Sequence, residues 1–192
     1  MVLGGLANAR YCVVLSHRII MLKLSKFDVA ERQLCLAIEL FFKSADPVAI
    51  HTLSEAASQV LRDIAPDYSK HSFYRQHPDL SKSDRRELNL QLNEARNFFK
   101  HADKDPKALI DFNPAINHLS LLETSVLYID IKGSVVPEVL VYSAWFLSNF
   151  AGVFPFEAKF KTKIEQSGLL NSKLTHADCL LFLEKLRLKN GL

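Results

Sequence analysis

Apolar residues recur at helical intervals along most of this chain, and the polar residues between them supply the starts and stops. Ala30, Leu34, Ala37, Ile38 and Phe41 form one stripe, with Asp28 placed to cap it and an end expected near Ser44. Asp46-Pro47 restarts a helix, because a capping carboxylate accepts from free N–H groups and proline presets the first helical residue. Ile50, Leu53, Ala57, Leu61 and Ile64 make the inner face of that helix, and Pro66 stops it. So short a connection predicts an antiparallel pair.

Polar and aromatic residues fill 66–82, with Pro78 as a breaker, which predicts a loop or one short helix. Ser83 opens the next helix, with Leu88, Leu92, Ala95 and Phe99 inside, and Asp105-Pro106 sets its latest end, so that His101 falls in the last turn. Asn113-Pro114 repeats the cap-then-proline device before a helix through Ile116, Leu119, Val126 and Ile129 that stops at Gly133. Pro137 to Phe150 is apolar nearly all round, as a central helix is. Glu157 to Glu165 reads as a short basic helix, and Thr175 to Asp178 resembles a capping box ahead of a final helix with Leu180, Leu181 and Leu188. No alternating strand pattern appears, and residues 21–192 predict one all-α bundle of about six to eight helices.

Residues 1–20 read as an N-terminal extension. Gly4, Gly5 and the Val13-Val14-Leu15 run do not make the long apolar core of a secretory signal, and Met21 offers a second start. Val135 to Phe156 approaches membrane-spanning length, but Pro137, Glu138, Asn149, Gly152 and Pro155 interrupt it and favour a buried core helix over a membrane segment.

With 192 residues and 48% hydrophobic content the chain can bury one sizeable core. Cys12, Cys35 and Cys179 are odd in number and contain no CxxC, which argues against a disulfide framework or zinc knuckle and for a reducing cytoplasm. A formal charge of +3 permits an acidic partner such as nucleic acid without requiring one. The chain has no GxxxxGK[ST] loop, no GxSxG elbow and no GxGxxG turn, so nucleotide hydrolysis, hydrolase and dinucleotide chemistry lack their mechanical parts.

Candidate chemistry concentrates in Arg96-Asn97-Phe98-Phe99-Lys100-His101. Arginine holds phosphate with a planar fork, and histidine moves a proton near neutral pH. This hexapeptide, Arg followed by a polar residue and then His at Arg-x4-His spacing, resembles the signature of the HEPN superfamily. That resemblance implies an HEPN-like all-α bundle, often dimeric, that cleaves single-stranded RNA without metal or cofactor through attack by the ribose 2′-hydroxyl. It implies His101 as the proton-transfer group, Arg96 as the stabiliser of phosphorane charge, Asn97 as an orienting amide and Lys100 as a further phosphate contact. A toxin or defence role would add an antitoxin protein to the partners.

On an unbroken helix Arg96 and His101 lie roughly 140° apart, so a site needs a second copy of the chain or a loosened final turn. Phe41, Phe42, Phe98 and Phe99 offer more aromatic surface than one helix face buries, which also predicts a homodimer. The competing reading is a non-catalytic interaction or RNA-binding module, with Arg96 an ion-pair partner and His101 favoured by the helix dipole. A third reading places a metal at His51 and Glu55, aided by His118 and Glu123; without an ExxH pair, a hydrogen-bonded His51 and Glu55 is the simpler expectation. His71, Phe73, Tyr74, Arg75 and His77 could touch single-stranded RNA or cover the bundle end, while the lysines at 159–163 and 185–189 read as solvated surface.

Overall fold

Ser25, rather than Asp28, caps the first helix, α1 (Lys26–Phe42), in a computed structural model that describes residues 21–70, 72, 81–101, 103, 105–150, 162, 164 and 173–189. The Ser25 hydroxyl accepts from the Asp28 N–H at 3.1 Å while the Asp28 carboxylate accepts from the Ser25 N–H at 2.8 Å. Asp28 is thus the reciprocal member of a capping box three residues inside the helix, and those bonds hold its carboxyl below the ordinary carboxylate range. Where α1 ends, Ser44 takes a left-handed conformation with φ 52°, its N–H donating to Phe41 O and that of Ala45 to Leu40 O.

α2 (Pro47–Ile64) begins as its sequence predicts, with Asp46 accepting from the N–H groups of Val48 and Ala49 at 2.9 and 3.0 Å. Pro66 does not end the chain's helical course at once, since Ala65–Tyr68 forms one 3-10 turn. α3 (Lys82–Lys100) is capped by Ser81 and begins one residue ahead of Ser83, its expected start. His101 is its C-cap, with φ −126° and ψ 85°, and so lies just outside the last turn in which its spacing had placed it.

Asn113 accepts from the Ala115 N–H at 3.0 Å, but it caps a turn through Pro114 and Ala115, and α4 (Ile116–Lys132) starts only beyond that turn. Gly133, with φ +69°, ends α4 as expected. α5 (Pro137–Asn149) and α6 (His176–Lys189) follow, the second entered through the Thr175 and Asp178 capping box. Among the described residues there are six α-helices and no strand, so the chain is an all-α bundle. The extension 1–20, the cluster from His71 to His77 and most of the expected helix from Glu157 to Glu165 lie outside the described residues.

α1 packs along α2, α2 along α4, and α5 along α6, with α1 also touching α4, α5 and α6. Ala30 and Ala37 on α1 and Ala57 on α2 are fully buried, and their small side chains let helix backbones approach. At one end Phe41 and Phe42 pack with Tyr142, Trp145, His118 and His176, in ring contacts of 4.8 to 6.2 Å between Phe41 or Phe42 and these four. Phe41 and Phe42 are therefore consumed inside the chain and no longer count as spare aromatic surface for a second copy. α6 docks through Cys179 and Leu183, which leaves Leu181 and Leu188 exposed rather than in the core. Arg187 ties this helix to Glu138 of α5 and Glu39 of α1, both at 2.7 Å. Burial, reinforced by Glu138, pushes the Cys35 thiol up to about 12, so it stays protonated at neutral pH. No described helix is long and apolar enough to cross a membrane.

Two left-handed positions make a paired test. Gly133→Ala should cost about 1 kcal/mol from backbone strain alone, since nothing lies within 4 Å of the added Cβ, whereas Ser44→Gly should gain a similar amount. Urea unfolding of the two variants should move the midpoint in opposite directions.

Candidate functional site

α3 carries the candidate hexapeptide, and its amphipathic phase decides where each side chain goes. Leu92 and Ala95 are buried, Leu88 is partly so, and α3 reaches the bundle through α2. Arg96 follows Ala95 toward that contact, and its Nη1 donates to Gln59 Oε1 on α2 at 2.8 Å. Gln59 also accepts from Arg62 at 3.0 Å and donates to Asp63 at 2.7 Å, so Arg96 joins a side-chain network on α2.

Asn97 is one helical step further round and exposed. His101 lies four residues on, and the two side chains line the same open groove of about 430 Å3 together with Glu94, Phe98, Asp105 and Ile110. Arg96 is not among the lining residues. The hexapeptide is therefore divided, with Asn97 and His101 on the groove and Arg96 turned against α2. The end of the helix at Lys100 does not bring Arg96 round. The His101 side chain is 49% exposed, with its Nδ1 3.9 Å from Asp103 Oδ1, and Lys100 is exposed at the helix end.

Beyond Glu94 and Ile110 the groove continues past Asp111, Phe112, Ile116 and Leu119. Glu94, Asp105 and Asp111 face it, and no lysine or arginine is among its described lining residues. An anionic, apolar groove repels phosphate rather than gathering it.

Behind this surface lies a buried polar seam between α2 and α4. His51, Ser54, Glu55 and Ser58 on α2 meet Asn117, Ser120 and Thr124 on α4, all of them nearly or wholly inaccessible. The Asn117 amide N–H donates to Pro47 O at 3.0 Å, which turns its Oδ1 toward His51 Nδ1 at 2.9 Å. His51 must then carry its proton on Nδ1. Ser120 donates to Glu55 Oε1 and lies against Ser54 Oγ, both at 2.8 Å, and Thr124 donates to Ser120 O at 2.7 Å. Phe99 and Phe112 close over the His51 ring at 5.7 and 5.3 Å. Burial lowers the His51 pKa, with Arg96 adding to the effect while Glu55 and Asn117 oppose it.

The metal reading therefore meets a different arrangement. His51 bonds to Asn117, Glu55 to Ser120, His118 sits among Phe41, Trp145 and Phe150, and Glu123 accepts from Ser72. Among the described residues no three His, Cys, Asp or Glu side chains gather into a metal-like cluster. Sequence reading passed over the seam's α4 half. Its signal was available as polar residues at helical spacing, His51, Ser54, Glu55 and Ser58 on one helix and Asn117, Ser120 and Thr124 on the other.

No family model, curated protein or solved structure matches this chain. The HEPN resemblance rests on the hexapeptide and its all-α setting.

Asn117→Ala should cost about 2 kcal/mol, because it strands the buried Nδ1–H of His51. Chemical denaturation against the parent measures it. Acid should act through the same ring and two others. Burial holds His51, His118 and His176 below their ordinary pKa, so the unfolded chain binds protons first as pH falls. Stability should be full above pH about 6.5 and fall as pH drops toward the folded-state values, with a lower urea midpoint at pH about 5 than at about 7.5.

Proposed function

We propose that this chain is a helical interaction module, HEPN-like in its motif, that holds a partner protein in the α3 groove without cutting RNA. The observation that carries this reading is the division of the hexapeptide, with Arg96 tied to Gln59 while Asn97, Phe98 and His101 line the anionic groove. Pairing with a second copy does not remove the difficulty. A two-fold axis repeats the same Arg96 contact in both protomers, so a composite site gains an arginine only when a charge-assisted bond of about 1.5–3 kcal/mol is exchanged for phosphate. The free thiols of Cys35 and Cys179 suit work in a reducing cytoplasm.

A second reading, the HEPN-type endoribonuclease, has one observation in its favour. Asn97 and His101 stand one turn apart on an open groove, and the His101 side chain is half exposed at a helix end. In that reading two chains pair, Arg96 leaves Gln59 for the phosphorane and Lys100 touches phosphate. The ribose 2′-hydroxyl loses its proton and attacks the adjacent phosphorus, the P–O5′ bond breaks, His101 passes a proton to the departing 5′-oxygen, and the products are a 2′,3′-cyclic phosphate and a free 5′-hydroxyl; an antitoxin protein would restrain the enzyme.

Incubation with single-stranded RNA, with and without chelator, separates the two. The module reading expects intact RNA in both. Cleavage that survives chelator, spares DNA, yields cyclic-phosphate ends and disappears in both Arg96→Ala and His101→Ala would replace it with the ribonuclease.

A further inference from the structure

We infer that the groove between α3 and the strap of residues 105–115 docks a basic amphipathic segment of a partner protein, with leucine-like side chains on one face and lysine or arginine beside them. The inference rests on the module reading above and names the chemistry of the partner.

Three features of the groove converge on that occupant. Its floor is apolar, with Phe98, Ile110, Phe112 and Leu119 only partly covered. At its lip Leu109 is 97% exposed, a large aliphatic side chain held in water on a strap that otherwise packs Phe112 against His51. Around it stand Glu94, Asp105 and Asp111, all exposed, and none of the three forms an ion pair among the described residues.

Apolar contact and charge each narrow the choice. A leucine-bearing face would cover Leu109 and Phe98 and remove apolar surface from water. Three carboxylates along one trench repel one another and any anion, so a cationic flank relieves that repulsion where RNA would add to it. The two halves of the trench share Glu94 and Ile110, so an occupant lying from Leu109 toward Leu119 would meet both in the helix-in-groove manner.

The test uses fluorescence anisotropy on the full chain. The probes are a labelled amphipathic peptide of leucine and lysine, its leucine and glutamate counterpart, and a labelled single-stranded RNA. The leucine and lysine peptide should bind, more weakly as salt rises, while the other two should not. The double variant Glu94→Lys with Asp111→Lys should weaken binding about tenfold, which is about 1.4 kcal/mol shared between two rim charges. Leu109→Asp should weaken it too, whereas Glu184→Lys on α6 should leave it unchanged. All of these positions are exposed, so an unchanged melting temperature confirms that the variants fold. Equal binding of the glutamate peptide, full binding by the double variant, or RNA bound in the groove would overturn the inference. The two levels fail differently: RNA cleavage that depends on His101 removes the module reading itself, while intact RNA with no peptide bound removes only this partner class.

Discussion

The polar seam between α2 and α4 is the constraint on which the rest of the arrangement depends. A buried amide, hydroxyl or carboxylate without a partner costs on the order of 1–3 kcal/mol, so these helices cannot slide or rotate against each other without stranding several such groups together. Asn117 is the clearest case. Its amide bonds backward to Pro47 and sideways to His51, which fixes the axial position of α4 against the first turn of α2. Ser54 and Ser120 repeat the constraint one turn further along with small side chains that keep the helices close. An apolar seam would have supplied attraction but tolerated other registers.

Because the seam is settled, the position of α3 is settled with it. His51 makes edge-to-face contacts with Phe99 of α3 and Phe112 of the strap, and those two rings also touch each other at 5.2 Å. The groove is thus a consequence of the core rather than a separate feature. Its near wall is the outer face of α3, and its far wall is a strap pinned by one aromatic residue over a buried histidine. The same ring contact links chemistry to stability, since any proton added to His51 arrives beside Arg96 in a place that disfavours a second positive charge.

Much of the fold was legible because it was written in periodicity and in proline. The inner faces of α1 and α2, the Asp46-Pro47 start, the Gly133 stop and the apolar α5 all follow from local rules that tertiary contact reinforced. Boundaries were less legible where two residues compete for one job. Ser25 and Asp28 are both good caps, and reciprocity assigns them different places. Asn113-Pro114 predicts a helix start, yet the same side-chain bond serves an isolated turn equally well, and α4 begins only at Ile116. The seam escaped because its residues are polar, and a search for apolar stripes passes over a buried face built from serine, threonine, asparagine and histidine. The groove lay beyond local rules altogether, since its far wall packs back on α3 through Phe112 against Phe99, a contact between residues thirteen apart.

Helical phase limits what the hexapeptide can do more firmly than its composition does. Adjacent residues on a regular helix point about 100° apart, and the step back from Asn97 to Arg96 leads toward α2, where Arg96 bonds Gln59, rather than further across the groove. The turn that puts Ala95 into the core carries Arg96 to its flank, within reach of Gln59, and carries Asn97 outward. Four residues on, His101 returns to the side of Asn97. A shared site would require either unwinding α3 before Arg96 or rotating it away from α2, and rotation would pull Phe99 from His51 and Leu92 from the core. Release of the arginine side chain alone asks far less, namely one hydrogen bond at a partly buried site. Whatever chemistry the motif performs therefore turns on the side chain of Arg96 and its hold on Gln59, with the backbone of α3 kept in place by the seam beneath it.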